Sequence, residues 1–136
     1  MTEKEIEKKA AQLASQIKMP VCITLSGDLG SGKTTFARSF IRTLCCDSSL
    51  FVPSPTFSLT QTYKTPNGLE IIHSDWYKIS SSEEIFELGI SFSSTITLIE
   101  WPEIAKAYLP KERMDIIMRY VDETHRDIQI SNSLPI

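Results

Sequence analysis

Apolar residues recur at helical spacing in the opening segment: Ile6, Ala10, Leu13 and Ile17 stand four, three and four residues apart among charged neighbours. Thr2 and Glu5 precede this stripe at capping-box spacing, which sets the start of a first helix, and Met19-Pro20 ends it. Val21 to Ser26 is a short apolar run and reads as a buried strand, followed at once by a glycine-rich turn. Lys33 to about Cys45 returns to helical period, with Phe36, Phe40, Ile41 and Leu44 on one face.

Pro53-Ser54-Pro55 gives an extended entry into a strand expected from Thr56 to Tyr63. Pro66-Asn67-Gly68 is a turn signal, so Leu69 to about Asp75 is predicted to return as a hairpin partner. Ser80 to Leu88 reads as a helix with Gly89 as its stop, and Thr95 to Glu100 as another buried strand. Pro102 suits the first turn of a short helix, and Met114 to Val121 with Arg126 to Ile130 form a second hairpin. Helices alternating with strands around a strand–loop–helix unit predict an α/β fold of P-loop NTPase type. This is a three-layer sandwich whose sheet is mixed, because the two hairpins add antiparallel pairs.

Composition changes this picture little. The chain has 136 residues, which argues for one domain spanning 1–136, and a domain of this size buries roughly two-thirds of its unfolded surface. A net charge of −3 gives no global attraction to nucleic acid or anionic lipid, so any RNA contact needs a local basic patch or a partner. The N-terminal residues alternate in charge, without the apolar stretch of a signal peptide, and no apolar run is long enough to span a bilayer. Cys22, Cys45 and Cys46 lack CxxC spacing and read as reduced thiols of a cytoplasmic protein. With His73 and His125 as the sole histidines, HExxH-type zinc chemistry is excluded.

The chemistry is concentrated in Gly27-Asp28-Leu29-Gly30-Ser31-Gly32-Lys33-Thr34, a match to G-x-x-x-x-G-K-[ST] between an apolar strand and an amphipathic helix. Chance alone gives this pattern in on the order of one per cent of chains this long. Its glycines let backbone N–H groups converge on phosphate oxygens, and the following helix presents its positive end to the same anion. Lys33 is expected to reach the β- and γ-phosphates and the Thr34 hydroxyl to bind magnesium.

Glu100 ends a buried strand, the place for a carboxylate that supports magnesium or orients water, the other reading being a surface acid at a strand end. Asp75, also at a strand end, reads either as a ligand or as a cap. Ser54-Pro55-Thr56 is a stiff hydroxyl-bearing loop, suited to sensing a γ-phosphate or simply to turning into the strand. His73 reads as a packed or solvated strand residue, and Trp101 as core or pocket wall. Arg38 and Arg42 are expected on the solvent side of the second helix, and Arg113, Arg119 and Arg126 receive no role. The absence of N-K-x-D disfavours guanine specificity. A small kinase stays open as an alternative, although little chain is left for an acceptor pocket and lid.

Gly27 to Thr35, Ser54-Pro-Thr-Phe57, His73-Ser-Asp-Trp-Tyr77, Glu87-Leu-Gly89 and Ile99-Glu-Trp-Pro102 occur in this order. Together they resemble the bacterial TsaE (YjeE) family over roughly residues 5 to 130. The resemblance implies a protein that binds ATP or ADP with Mg2+, hydrolyses ATP slowly, and acts with TsaD and TsaB. Those partners place threonylcarbamoyl on adenosine 37 of tRNA, so tRNA is met through the complex and no membrane is involved. It further implies that Lys33 binds phosphate, that Thr34 and Glu100 hold the metal, and that Asp28 through Thr35 cradle the nucleotide. Thr56 would lie in a switch-like loop, Asp75 would be the functional aspartate, and Trp101 would stand beside the acid. The chain departs from the family pattern at Lys78, where arginine is common, at Trp76, which replaces an aliphatic residue, and in the short stretch Ser91–Thr95.

Overall fold

The computed structural model describes residues 1–28, 30–56 and 58–132. Helix α1 runs Glu3–Ser15, and its capping box forms as the sequence requires. The Glu5 N–H reaches the Thr2 hydroxyl at 3.3 Å, and the Thr2 N–H reaches the Glu5 carboxylate at 3.0 Å. Strand β1 (Val21–Ser26) leads through the glycine turn to α2 (Lys33–Leu44). Strands β2 (Thr60–Lys64) and β3 (Glu70–Asp75) form the first hairpin, followed by the short helix α3 (Ser82–Glu87). Strand β4 (Ile96–Glu100) passes into a 3₁₀ segment, Pro102–Tyr108, with proline in its first turn. Strands β5 (Met114–Tyr120) and β6 (Arg126–Asn132) close the second hairpin.

The six strands lie in the order β2-β3-β4-β1-β5-β6. The inner four are mutually parallel, and each hairpin adds one antiparallel edge, so the expected mixed sheet is present. Strands β1 and β4 are buried almost along their whole length, which is why they carry unbroken apolar runs rather than alternation.

Alternate side chains of the inner strands feed two separate cores. Ile23, Leu25, Leu98 and Ile116 pack with Ile6 and Ala10 of α1 and Phe36, Phe40 and Ile41 of α2. Cys22 and Ile99 face the other way, onto Trp76, Ile79, Ile85 of α3, Ala105 and Leu109. Helical layers on both faces of one sheet make the three-layer sandwich. Trp76, the departure from the usual aliphatic residue, is 1% exposed and fills this second core, its indole N–H bonded to the Ser74 hydroxyl at 3.0 Å.

One expected boundary moves. The strand anticipated from Thr56 begins only at Thr60, because Leu59 adopts a left-handed conformation (φ 66°) that breaks the extended run. The Leu59 N–H bonds the Pro55 carbonyl at 2.7 Å, and the Leu59 carbonyl accepts the Asp75 N–H at 2.9 Å. Leu59 is thereby tied to both Pro55 and the end of β3. The third helix is likewise shorter than expected, starting at Ser82, while Gly89 (φ 65°) stands just beyond its end.

Candidate nucleotide site

Register brings the site together. Leu25 pairs with Glu100, and Asp75 pairs with the same residue from the other side. The two acids and the start of the glycine loop therefore share the C-terminal edge of the parallel strands, where ligands collect in open α/β sheets. Gly27 (φ 147°) permits the loop to leave β1 tight against β5. A Cβ there would overlap the carbonyl oxygen of Met118 and come within 2.7 Å of the Ser31 hydroxyl. Gly32 (φ 102°) caps α2 in a left-handed conformation that a side chain would strain.

Lys33, the first residue of α2, is 6% exposed. Its ammonium donates to the carbonyls of Gly27 and, at 3.0 Å, Asp28, and lies 4.2 Å from the centre of the Trp101 ring. Burial pushes the Lys33 amine below its ordinary value, opposed by the negative charges of Glu100, Glu103, Asp75 and Asp28. Trp101 is half-buried and left-handed (φ 57°), and its ring also meets that of Tyr77 at 4.7 Å.

Asp75, 4% exposed, accepts the Tyr77 N–H at 2.9 Å on one oxygen and the Thr56 hydroxyl at 3.1 Å on the other. Thr56 in turn bonds Ser54 at 2.7 Å. Asp75 is not a helix cap, since α3 begins at Ser82 with Ser81 at its N-cap; its carboxylate instead closes the turn at Tyr77 and ties down Thr56. Glu100, also 4% exposed, is joined to His73 Nε2 at 2.5 Å. His73 is therefore packed, as one of its sequence readings held, but against an acid of the site.

A cavity of about 370 Å³ gathers these residues. Its walls include Gly30, Gly32, Lys33, Thr34, Thr35, Thr56, Asp75, Glu100 and Trp101, with Lys78 also on the rim. The sequence-nominated Asp28 and Ser31 are not among those walls: Asp28 is exposed and contributes its backbone carbonyl, while Ser31 is buried beneath the loop. Leu29 lies outside the described residues. Thr34 and Glu100 offer a hydroxyl and a carboxylate, an all-oxygen donor set that fits magnesium. Among the described residues no cluster of three or more His, Cys, Asp or Glu could hold a metal by itself. A magnesium ion there would complete its shell with phosphate oxygens and water, its usual habit beside nucleotides.

Sequence reasoning missed Arg126. From the start of β6 it donates Nε to the Gly30 carbonyl at 2.6 Å, and it lines the cavity as well. It also lines a second cavity of about 500 Å³ bounded by Thr2, Lys4, Ile6 and Thr124, and the two cavities share Gly32, Thr35 and Arg126 as walls. No local motif marks Arg126, because its role arises when the second hairpin folds back beside the glycine loop.

The family model described as "Threonylcarbamoyl adenosine biosynthesis protein TsaE" matches residues 1–128. This chain belongs to the TsaE family. A relative from Rickettsia bellii, a tRNA threonylcarbamoyladenosine biosynthesis protein TsaE, is 41% identical over 133 residues, covering 96% of this chain and 91% of its own length. The protein of the same description from Bacillus subtilis is 32% identical over 126 residues, 91% of this chain and 78% of that protein. The crystal structure of Bacillus subtilis YdiB superposes with a TM-score of 0.74 at 27% identity, over 98% of this chain and 82% of that one. No described helix is long and apolar enough to cross a membrane.

Proposed function

We propose that this chain binds Mg-ATP in the cavity at the strand ends and hydrolyses it slowly in support of tRNA threonylcarbamoyladenosine formation. TsaB and TsaD are its partners in the cytoplasm. The observation that carries the reading is the convergence of Lys33, Thr34, Asp75 and Glu100 on one cavity beside a helix N-terminus. Family membership supplies the pathway.

In this reading the N–H groups of the glycine loop and the positive end of α2 receive the phosphates. Lys33 leaves the loop carbonyls for the β- and γ-phosphates, exchanging neutral acceptors for charged ones. Thr34 and Glu100 would hold magnesium, which would supply positive charge beside the phosphoryl oxygens. The Asp75 carboxylate sets the Thr56 hydroxyl at the γ-phosphate side, and Trp101 with Tyr77 shields the Lys33 ammonium from water. The adjoining cavity bounded by Thr2, Ile6, Thr124 and Arg126 takes the adenosine half, since it continues past Gly32 and Thr35 from the phosphate cavity.

A second reading, a nucleotide-gated docking module with incidental hydrolysis, is favoured by one feature. Asp75 leads within a few residues into α3, and Glu100-Trp101 lead directly into the 3₁₀ segment. These two elements expose Phe86, Ile104 and Tyr108. Steady-state hydrolysis, alone and with TsaB–TsaD, separates the two. Stimulation by the pair that disappears in Lys33→Ala and Glu100→Gln supports the ATPase. Full multiple-turnover tRNA modification by Glu100→Gln would leave the docking module.

A further inference from the structure

We propose that His73 is the positioning residue of Glu100, holding its carboxylate in the orientation that receives magnesium. This rests on the reading of Glu100 as a metal ligand. Strands β3 and β4 run parallel with His73 opposite Leu98 and Asp75 opposite Glu100, so His73, Asp75 and Glu100 project from one face. His73 Nε2 lies 2.5 Å from Glu100 Oε2, and the two residues are 2% and 4% exposed. A glutamate has three rotatable bonds, and a buried tie to one oxygen removes most of that freedom while the residue still lines the cavity.

The other ring nitrogen sharpens the inference. His73 Nδ1 is buried and finds no partner among the described residues. A histidine kept for packing alone has no reason to leave a buried polar atom unpaired when an apolar ring would fill the same space. With Nε2 donating, Nδ1 is a bare acceptor, and among the described residues the ring's hydrogen bonding is directed at Glu100 alone. Metal-ligand side chains are commonly oriented by such outer partners, whose removal costs about ten- to a hundredfold in metal affinity. One strand thus supplies, two residues apart, the partner of Glu100 and the carboxylate that accepts Thr56.

The test is calorimetric binding of ADP and of a non-hydrolysable ATP analogue, with magnesium and with EDTA. It uses the full chain and its His73→Phe, His73→Gln, Glu100→Gln and combined His73→Phe/Glu100→Gln variants. His73→Phe is expected to lose about tenfold of the affinity gained from magnesium and to keep the affinity measured in EDTA. His73→Gln, whose amide can reach Oε2, restores most of the gain. In the Glu100→Gln background His73→Phe changes nothing further. An undiminished magnesium gain in His73→Phe, an equal loss in the Glu100→Gln background, or no rescue by Gln overturns the proposal. If His73→Phe does not fold, His73→Asn carries the same comparison, because its shorter amide falls short of Glu100. An unchanged magnesium gain in Glu100→Gln itself would instead remove the metal reading of Glu100, and with it the premise.

Discussion

Arg126 Nε donates to the carbonyl oxygen of Gly30 at 2.6 Å, tying the last strand to the glycine loop. The same guanidinium donates to the carbonyls of Asp122 (2.6 Å) and His125 (2.8 Å) and lies 4.6 Å from the centre of the Tyr120 ring. These contacts fix a planar cation beside both cavities. Arg126→Ala is expected to weaken ATP and ADP binding about tenfold, the scale of a lost hydrogen bond involving a charged group. Lysine at this position should rescue little, because it can neither fork between carbonyls nor stack on Tyr120. Titration of a fluorescent nucleotide checks both, and wild-type affinity in Arg126→Ala would remove Arg126 from the site.

If Lys33 receives phosphate as proposed, nucleotide affinity is expected to depend on pH with a definite sign. Phosphate prefers the protonated amine, while burial has lowered the amine's pKa in the free protein. As pH rises through that lowered value, the amine loses its proton and binding must restore it, so affinity falls. The decline should begin at a less alkaline pH than an ordinary lysine would give. Binding measured from about pH 7 to pH 10 should show this limb in the wild type and not in Lys33→Ala. A flat profile up to the ordinary lysine range would contradict the burial argument.

Much of the candidate site, in the sense of which residues line the cavity, could be read from the chain because its parts are local. Gly27 to Thr34 carries its own chemistry between a strand and a helix, and Glu100 closes an apolar run that only a buried strand explains. Relations set by folding were not readable. His73 and Glu100 meet through the register of two parallel strands, and Arg126 meets Gly30 across a separation of 96 residues. Leu59 misled for another reason: its surroundings read as a strand, yet it is left-handed, with a local turn bond to Pro55 and a long-range bond from the Asp75 N–H.

Gly27 is expected to be the least replaceable position of the loop. Its φ of 147° and the overlap of any Cβ with the Met118 carbonyl set backbone against backbone, which no rotamer change relieves. Gly27→Ala should therefore destabilise the fold itself, by roughly 2–4 kcal/mol, the range of severe packing and backbone conflicts. Gly30→Ala meets no atom within 4 Å and bears only the strain of its φ of 80°. It should cost about 1–2 kcal/mol. Denaturant midpoints of the two variants give the comparison, and equal losses would argue against the close approach to β5.

Trp101 pays for its ring position with a left-handed backbone (φ 57°, ψ 58°), a conformation that costs a non-glycine residue about 1–2 kcal/mol. Its N–H bonds the Leu25 carbonyl at 3.2 Å, and its ring covers the Lys33 ammonium. Trp101→Gly relieves the backbone and deletes the ring together. Nucleotide affinity should then fall several-fold, since a cation–π contact of this kind contributes about 0.5–2 kcal/mol. Thermal stability should change much less, because the relieved strain offsets the lost contacts. Trp101→Phe keeps an aromatic face and should fall between. Fluorescence separates the two indoles: Trp76 is 1% exposed in the second core and should give a constant background. The emission change on adding Mg-ADP should come from Trp101 and vanish in Trp101→Phe. An undiminished change in that variant would mean that nucleotide binding reaches the core around Trp76, and that the ring over Lys33 is a bystander.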